Sequence, residues 1–226
     1  MSKPKEAPIK LEFSNKYTRE HSQYYYEKHQ RGLEPRLSHW RDVQIARKAL
    51  KIAGEPKEVL DLPCGAGRFW PTLAENPNRK IIGADNSADM VAVALEHCPK
   101  EIASRVTAFQ TSAFAIDMQD KAVDSIFSMR LMHHIGQSEH RIAMLKEFHR
   151  VTKDTVILSL WVDGNFKAYQ RRKSEERHPR GPNQNRFVIP AKQIEQEFGQ
   201  AGFNIVDYID FLPYYAMWRV YILRKA

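Results

Sequence analysis

Three groups of residues in this chain have the types and spacing to do chemistry. The first is Asp61-Leu62-Pro63-Cys64-Gly65-Ala66-Gly67-Arg68, which follows the apolar pair Val59-Leu60. Glycines at a strand-to-helix turn let a ligand come close to the backbone and allow free N–H groups to point at it. The second is Asp85, about 20 residues past the glycines, where α/β folds place a carboxylate on ribose hydroxyls. Together these describe a nucleoside-bearing cofactor over the carboxyl ends of two neighbouring strands. The third is the pair His133-His134, because an imidazole titrates near neutral pH and can take a proton from a hydroxyl or amine as it attacks.

Which cofactor fits is narrowed by what is missing. A dinucleotide fingerprint needs a third glycine, and Trp70 stands at its position. No Gly-Lys-Ser/Thr follows, so the turn is not a P-loop. Cys64 has no His or Asp neighbour in sequence to activate it and reads as packing inside the turn. His97, His133, His134, His140 and His149 do not join a carboxylate at metal-ligand spacing, so no metal site is expected.

Elements of the right kind surround these residues. Short β-branched runs at 58–62, 80–84, 105–110, 124–129 and 155–161 alternate with amphipathic segments, the pattern of βαβ units and a parallel sheet. Helices are expected at 68–75, at 87–97 with Ser87 as N-cap, and at 138–151 with Ser138 as N-cap. Residues 17–53 read as helix broken near 32–35. Residues 162–186 read as a polar stretch with little apolar periodicity, and loops of that length are usually functional or disordered. A helix at 191–200 stops at Gly202, and strands at 204–211 and 217–224, separated by the Pro213 turn, read as an antiparallel hairpin at the sheet edge.

The ordered set of motifs resembles the class I S-adenosylmethionine-dependent methyltransferases, of the type 11-like kind. The stretches that carry it are Asp61 to Arg68, Gly83-Ala84-Asp85-Asn86-Ser87-Ala88-Asp89-Met90, Val123 to Ser128 with Met132-His133-His134-Ile135, and Phe148-His149-Arg150-Val151. The resemblance implies an α/β Rossmann-like three-layer sandwich: a seven-stranded, mostly parallel sheet with a C-terminal antiparallel hairpin and an N-terminal helical lid. One domain results, with the lid at 1–57, the cofactor-binding core at 58–161 and a substrate-side insert plus hairpin at 162–226. S-adenosylmethionine is then the cofactor. Pro63, Cys64, Gly65, Gly67 and Arg68 form its turn, Asp61 lies near its amino group, and Asp85 with Asn86 takes the ribose. Met90, which reads equally as core, lies near the adenine, with Ser112, Ala113, Phe114 and Met129 completing the pocket. Two positions depart from the family pattern. Pro63 replaces the usual first glycine and has no N–H to give, and Thr111-Ser112-Ala113 lacks the acid that usually meets the adenine amino group. His133 and His134 fall on the loop facing the transferable methyl, as general base or as packing. Displacement at a sulfonium needs chiefly alignment, so a base is optional.

Composition bounds the acceptor only loosely. The 226 residues are 42% hydrophobic and 27% charged, which excludes a disordered or collagen-like chain. Two cysteines cannot build a disulfide framework and suit a reducing compartment. With no apolar run after the polar opening residues, a cytoplasmic protein is expected. The net charge of +8 is uneven: residues 1–57 carry 13 basic and 7 acidic side chains, 58–161 carry 11 and 13, and 162–226 carry 11 and 7. A near-neutral core with basic flanks points to an acceptor bound by the flanks. Lys167, Arg171, Arg172, Lys173, Arg177 and Arg180, with Arg130 and with Tyr17, Tyr24, Tyr25 and Tyr26 of the N-terminal segment, are the candidate substrate residues. They suit a small-molecule or lipid-linked acceptor bearing phosphate or carboxylate, methylated at oxygen or nitrogen, or an anionic membrane surface. An RNA acceptor is the alternative, and a non-catalytic cofactor-binding regulator a third.

Overall fold

A computed structural model of the chain describes Ile9 and residues 33–178 and 184–226. Seven strands form one sheet in the order β3-β2-β1-β4-β5-β7-β6. They are β1 (Glu58–Asp61), β2 (Lys80–Asp85), β3 (Val106–Gln110), β4 (Val123–Ser128), β5 (Thr152–Trp161), β6 (Phe203–Asp210) and β7 (Trp218–Lys225). The first five pair in parallel, while β7 runs antiparallel to both β5 and β6. The C-terminal hairpin therefore lies at the sheet edge with β6 outermost. Runs such as Val59-Leu60 and Val156-Ile157-Leu158 are buried on both faces, which is what a parallel sheet covered by helices demands.

Helices α1 (Leu33–Ile52), α2 (Trp70–Leu73) and α3 (Ala88–Glu96) precede β3, and α4 (Ser138–Val151), α5 (Phe166–Arg177) and α6 (Ala191–Gln200) follow β4. One core layer joins Ile45, Ala46, Ala49 and Leu50 of α1 and Trp70 and Leu73 of α2 to the sheet. The other joins Met144, Leu145 and Phe148 of α4 and Ile194 and Phe198 of α6 to the opposite face. This is the expected three-layer sandwich. Of the segment expected as a lid, α1 packs flat on the sheet; residues 10–32, including Tyr17, Tyr24, Tyr25 and Tyr26, lie outside the described residues.

Four local expectations are corrected. Only Trp70–Leu73 closes as helix within 68–75, because Gly67 and the Trp70 ring shape a turn there instead. Ser138 is the first helical residue of α4, not its cap; its hydroxyl donates to Glu197 Oε1 at 2.7 Å. The polar stretch 162–186 contains α5, capped by Asn165, whose Oδ1 accepts from Ala168 N–H at 2.9 Å. Its apolar periodicity is weak because its inward stripe is Ala168, Arg171 and Glu175. Finally, no break falls within 33–35: Pro35 lies inside α1, while residues 17–32 of the expected helix lie outside the described residues. Ser87 does cap α3, accepting from Met90 N–H at 3.3 Å.

A buried ion pair ties the second layer together. Arg141 and Glu197 are 2% exposed each and meet through two bonds of 2.6 and 2.7 Å, while Arg141 Nη1 donates to the carbonyls of Ile135 and Gly136. The pair thus joins α4 to α6 and fixes the loop that carries His133 and His134. Burial opposes ionisation of Glu197, but the bonds from Arg141 and Ser138 outweigh it and hold its pKa below the ordinary value. Arg141→Leu should leave a buried carboxylate unpaired and destabilise the fold by about 3–5 kcal/mol, read from urea unfolding at neutral pH. Because the Glu197 pKa is depressed, the pair's contribution is full above the ordinary carboxylate range. It should fade as pH falls through the folded value, and the gap between wild type and variant should narrow there.

Candidate active site

Strand order reverses between β1 and β4, and ligands of open α/β sheets bind at the carboxyl ends of strands at such a point. Here the turn after β1 and the loop after β4 face each other across that crevice. Asp61 ends β1 opposite Gly83 of β2 and Phe127 of β4. It is 1% exposed, and its Oδ2 has no hydrogen-bond partner. Burial pushes its pKa well up, and the nearby Asp85 carboxylate pushes it further. The Trp70 indole lowers it somewhat, without bonding geometry good enough to satisfy either Asp61 Oδ2 or its own Nε1.

Asp85 ends β2. Its Oδ2 accepts from Gly65 N–H and its Oδ1 from Ser87 N–H, each at 3.0 Å. Burial raises its pKa, partly offset by these backbone donors. Each carboxylate oxygen keeps a further lone pair for a hydroxyl.

The turn itself supplies shape more than donors. Cys64 N–H donates to Ala84 O at 2.8 Å, Gly65 N–H to Asp85, and Gly67 N–H to Cys64 O at 3.0 Å. The free N–H groups expected of these glycines are therefore satisfied internally. Gly67 has φ +71°, and a Cβ there or at Gly83 would come within 2.8 and 2.5 Å of the Trp70 ring. Trp70, fully buried, fills the place where a dinucleotide turn would bring its helix close to a pyrophosphate. Cys64 is buried, which pushes its thiol pKa well up and fits packing over nucleophilic chemistry.

The remaining cofactor candidates are partly brought together. Pro63 and Gly65 border the crevice, half-buried. Met129 follows β4 and is buried beside Asp42, Arg130 and Ser159. Ser112, Ala113 and Phe114 follow β3, where Ser112 Oγ accepts from Phe114 N–H. Met90 is buried in the first turn of α3. Asn86 is exposed, its carbonyl bonded by Gln110. Arg68 points out of the turn toward α1, to His39 Nδ1 at 2.9 Å and Asp42 Oδ2 at 2.6 Å.

Sequence reading missed Asp42. Its Oδ2 accepts a second bond of 2.6 Å from Arg130 Nη2, so one carboxylate of α1 links the cofactor turn to the loop after β4. Arg130 has φ +65°, strained for a non-glycine residue. Its N–H on Ser159 Oγ at 2.8 Å and its guanidinium over the Trp218 ring hold it there.

His133 sits behind it, 3% exposed, with its ring 5.0 Å from that of Trp161, 4.7 Å from Trp218 and 4.0 Å from His134. Burial pushes its pKa down to about 2, and His134, Arg186, Arg130 and Arg171 push the same way. Its Nδ1 and Trp161 Nε1 are buried without partners. His134 Nδ1 bonds the Asn185 carbonyl, which as an acceptor fixes the tautomer with hydrogen on Nδ1 and the lone pair on Nε2. Burial lowers its pKa as well. The strap 185–189 holds the pair in place: Phe187 N–H donates to His133 O, its ring lies against Gly136, and Ile189 N–H donates to Trp161 O.

Three guanidiniums surround these rings. Arg171 and Arg186 lie 5.0 and 5.9 Å from the Trp161 ring, and Arg130 lies 4.9 Å from Trp218. Arg171 turns inward, 11% exposed, and also reaches Glu175. Arg172 instead points to solvent, 71% exposed, near Glu176, so it lies outside this cluster. Arg186, Trp161 and Trp218 carry no local signature; only pairing of Trp161 with Trp218 across β5 and β7 assembles them. Among the described residues no three His, Cys, Asp or Glu side chains gather to hold a metal ion.

The raised Asp61 pKa means that its charged form costs folding free energy above the ordinary carboxylate range. Asp61→Asn should therefore raise the melting temperature near pH 8 by several degrees. That advantage should shrink toward pH 4, where both forms are neutral, as read from thermal unfolding across pH.

The buried, unpartnered Asp61 oxygen suits an ammonium group, and Asp85 suits a pair of vicinal hydroxyls. Pro63 has no N–H, and those of Cys64, Gly65 and Gly67 are already bonded. An ammonium and vicinal hydroxyls are groups of S-adenosylmethionine. Comparison with known proteins agrees. Residues 59–155 match the methyltransferase-domain family. The chain is 31% identical over 121 residues to the demethylmenaquinone methyltransferase of Chlorobaculum tepidum, covering 51% of this chain and 45% of that one. It is 25% identical over 126 residues to the tRNA (carboxymethyluridine(34)-5-O)-methyltransferase ALKBH8 of Macaca fascicularis, covering 56% and 18%. It thus spans less than half the length of these two relatives. In fold it resembles magnesium protoporphyrin IX methyltransferase of Synechocystis PCC 6803 solved with S-adenosylhomocysteine, with TM-score 0.69 and 17% identity over 84% of this chain and 85% of that one. The sheet order, the two carboxylates and these matches, of which the family model covers residues 59–155, support a class I S-adenosylmethionine-dependent methyltransferase.

Proposed function

We propose that the protein methylates an anionic small-molecule or lipid-linked acceptor at oxygen or nitrogen. The observation that carries this reading is the convergence of Arg130, Arg171 and Arg186 around His133 and the Trp161–Trp218 pair. S-adenosylmethionine, when bound, supplies an electrophilic methyl on a sulfonium. Asp61 holds its ammonium, Asp85 its ribose hydroxyls, and the Gly65–Gly67 turn shapes the floor. The acceptor's anion rests on the arginines, and Trp161 Nε1 and His133 Nδ1 orient its polar groups. His134 takes the acceptor's proton through Nε2 as the new bond forms.

Charge favours this division of labour. His133 is too weakly basic to hold a proton at neutral pH and serves as a neutral acceptor of a hydrogen bond. His134 has its tautomer set by Asn185 and is the better base. An anion on Arg186 would cancel one of the charges that depress His134, so acceptor binding would itself make the base stronger. A dry, aligned site does the rest.

An RNA acceptor is the second reading, favoured by the tRNA-modifying relative. Its signature would be tRNA binding that weakens steeply with salt and depends on the basic cluster at 167–180.

Calorimetry with S-adenosylmethionine and S-adenosylhomocysteine tests the cofactor half. Wild type should bind both, and Asp85→Asn should weaken binding by about 100-fold through loss of charged hydrogen bonds; unchanged affinity would overturn the assignment. Transfer of a labelled methyl to panels of phosphorylated, carboxylated and lipid-linked acceptors tests the other half. Arg171→Ala and Arg186→Ala should raise KM, whereas His134→Gln should lower kcat by about 10²-fold or more and flatten its pH profile. A preferred acceptor without an anionic group would sink the arginine assignment.

A further inference from the structure

The turn between β6 and β7 lies at the same end of the sheet as the active site, because Trp218 at the start of β7 pairs with Trp161 at the end of β5. The N-terminus of α5 is bonded to this turn: Phe166 N–H donates to Tyr214 O at 2.9 Å and Lys167 N–H to Tyr215 O at 3.0 Å. The two elements therefore form one continuous face beside the mouth of the acceptor site. Large apolar side chains stand out from it. Tyr214 is 88% exposed, and Leu212, Tyr215, Phe166 and Tyr169 are each nearly half exposed. Cations are interleaved among them: Lys167 lies 5.3 Å from the Tyr215 ring, and Lys173 and Arg172 lie 4.8 and 5.8 Å from that of Tyr169.

We propose that this face docks on an anionic lipid bilayer. Aromatic residues and leucine at a turn tip suit the headgroup boundary, where rings sit with their polar ends in water. Lysines and arginines beside them meet the negative surface. Single-stranded nucleic acid fits less well, because base stacking needs open ring faces. Here Phe166 stacks on Tyr215 at 5.8 Å and 20°, and cations lie against Tyr215 and Tyr169. Among the described residues no helix is long and apolar enough to cross a membrane, so the contact is peripheral. On the opposite side of α5, Arg171 faces Trp161 in the acceptor site, which places an acceptor drawn from the bilayer directly behind the docked face. The docking itself does not depend on which acceptor is methylated.

Co-sedimentation with vesicles tests the proposal. The full chain should partition onto phosphatidylcholine vesicles containing phosphatidylglycerol at least about 10-fold more strongly than onto phosphatidylcholine alone, and Lys167→Glu with Lys173→Glu should remove that gain. Tyr214→Ser should weaken partitioning several-fold on the mixed vesicles. Both variants should keep wild-type affinity for S-adenosylhomocysteine, which separates loss of docking from loss of fold or of cofactor binding. Equal partitioning onto both vesicle types, or variants that bind like wild type, would overturn the proposal. Failure to bind vesicles together with retention of a single-stranded RNA oligonucleotide that depends on Lys167 and Lys173 would overturn it in favour of a nucleic-acid surface.

Discussion

The indole of Trp70 sets the shape on which the cofactor site depends. It occupies the space where Cβ atoms of residues 67 and 83 would stand, so the turn after β1 closes only because both positions are glycine. With the ring in place, the amides of Cys64, Gly65 and Gly67 bond within the protein. The crevice beside the turn presents the carboxylates of Asp61 and Asp85. Such a pair of carboxylates suits an ammonium and hydroxyls.

The same arrangement carries a cost. Asp61 and Asp85 end neighbouring strands, both buried and both shifted toward the neutral form. Asp61 lacks a partner for one oxygen, the kind of defect that native proteins keep where a ligand completes the bonding. Destabilisation of the empty protein and attraction for a cationic ligand are two aspects of one buried charge. Arg141 and Glu197 show the contrasting case, a buried charge satisfied entirely within the fold, with Arg141 also bonded to the loop that follows His133 and His134.

Asp42 joins the two halves of the site. One of its oxygens takes bonds from Arg68 in the turn after β1 and Arg130 in the loop after β4, so a helix outside the matched domain sets the position of both. Arg130 is held in a strained backbone conformation by this bond, by Ser159 and by Trp218. Two cations on one carboxylate leave excess positive charge facing the crevice, and Arg171 and Arg186 add to it.

Legible in the sequence are the strand and helix alternation, the seven-stranded sheet with its terminal hairpin, the turn after β1 and the acid after β2. These are local features, legible because period, glycine placement and short spacing act within one βαβ unit. The sequence also marked His133 and His134, without separating their roles. What it could not show depends on distant pairs. Asp42 meets Arg130 across 88 residues, and Trp161 meets Trp218 only because β7 returns beside β5. Burial distinguishes His133 from His134, and helix rotation distinguishes Arg171 from Arg172, although each pair is adjacent in sequence. A helix at α5 was illegible because its inward stripe is built from Ala168, Arg171 and Glu175, with little hydrophobic signal. Local chemistry therefore specified the cofactor, while the surroundings of the acceptor were decided by tertiary contacts, since charge, exposure and basicity belong to an environment that no single segment contains.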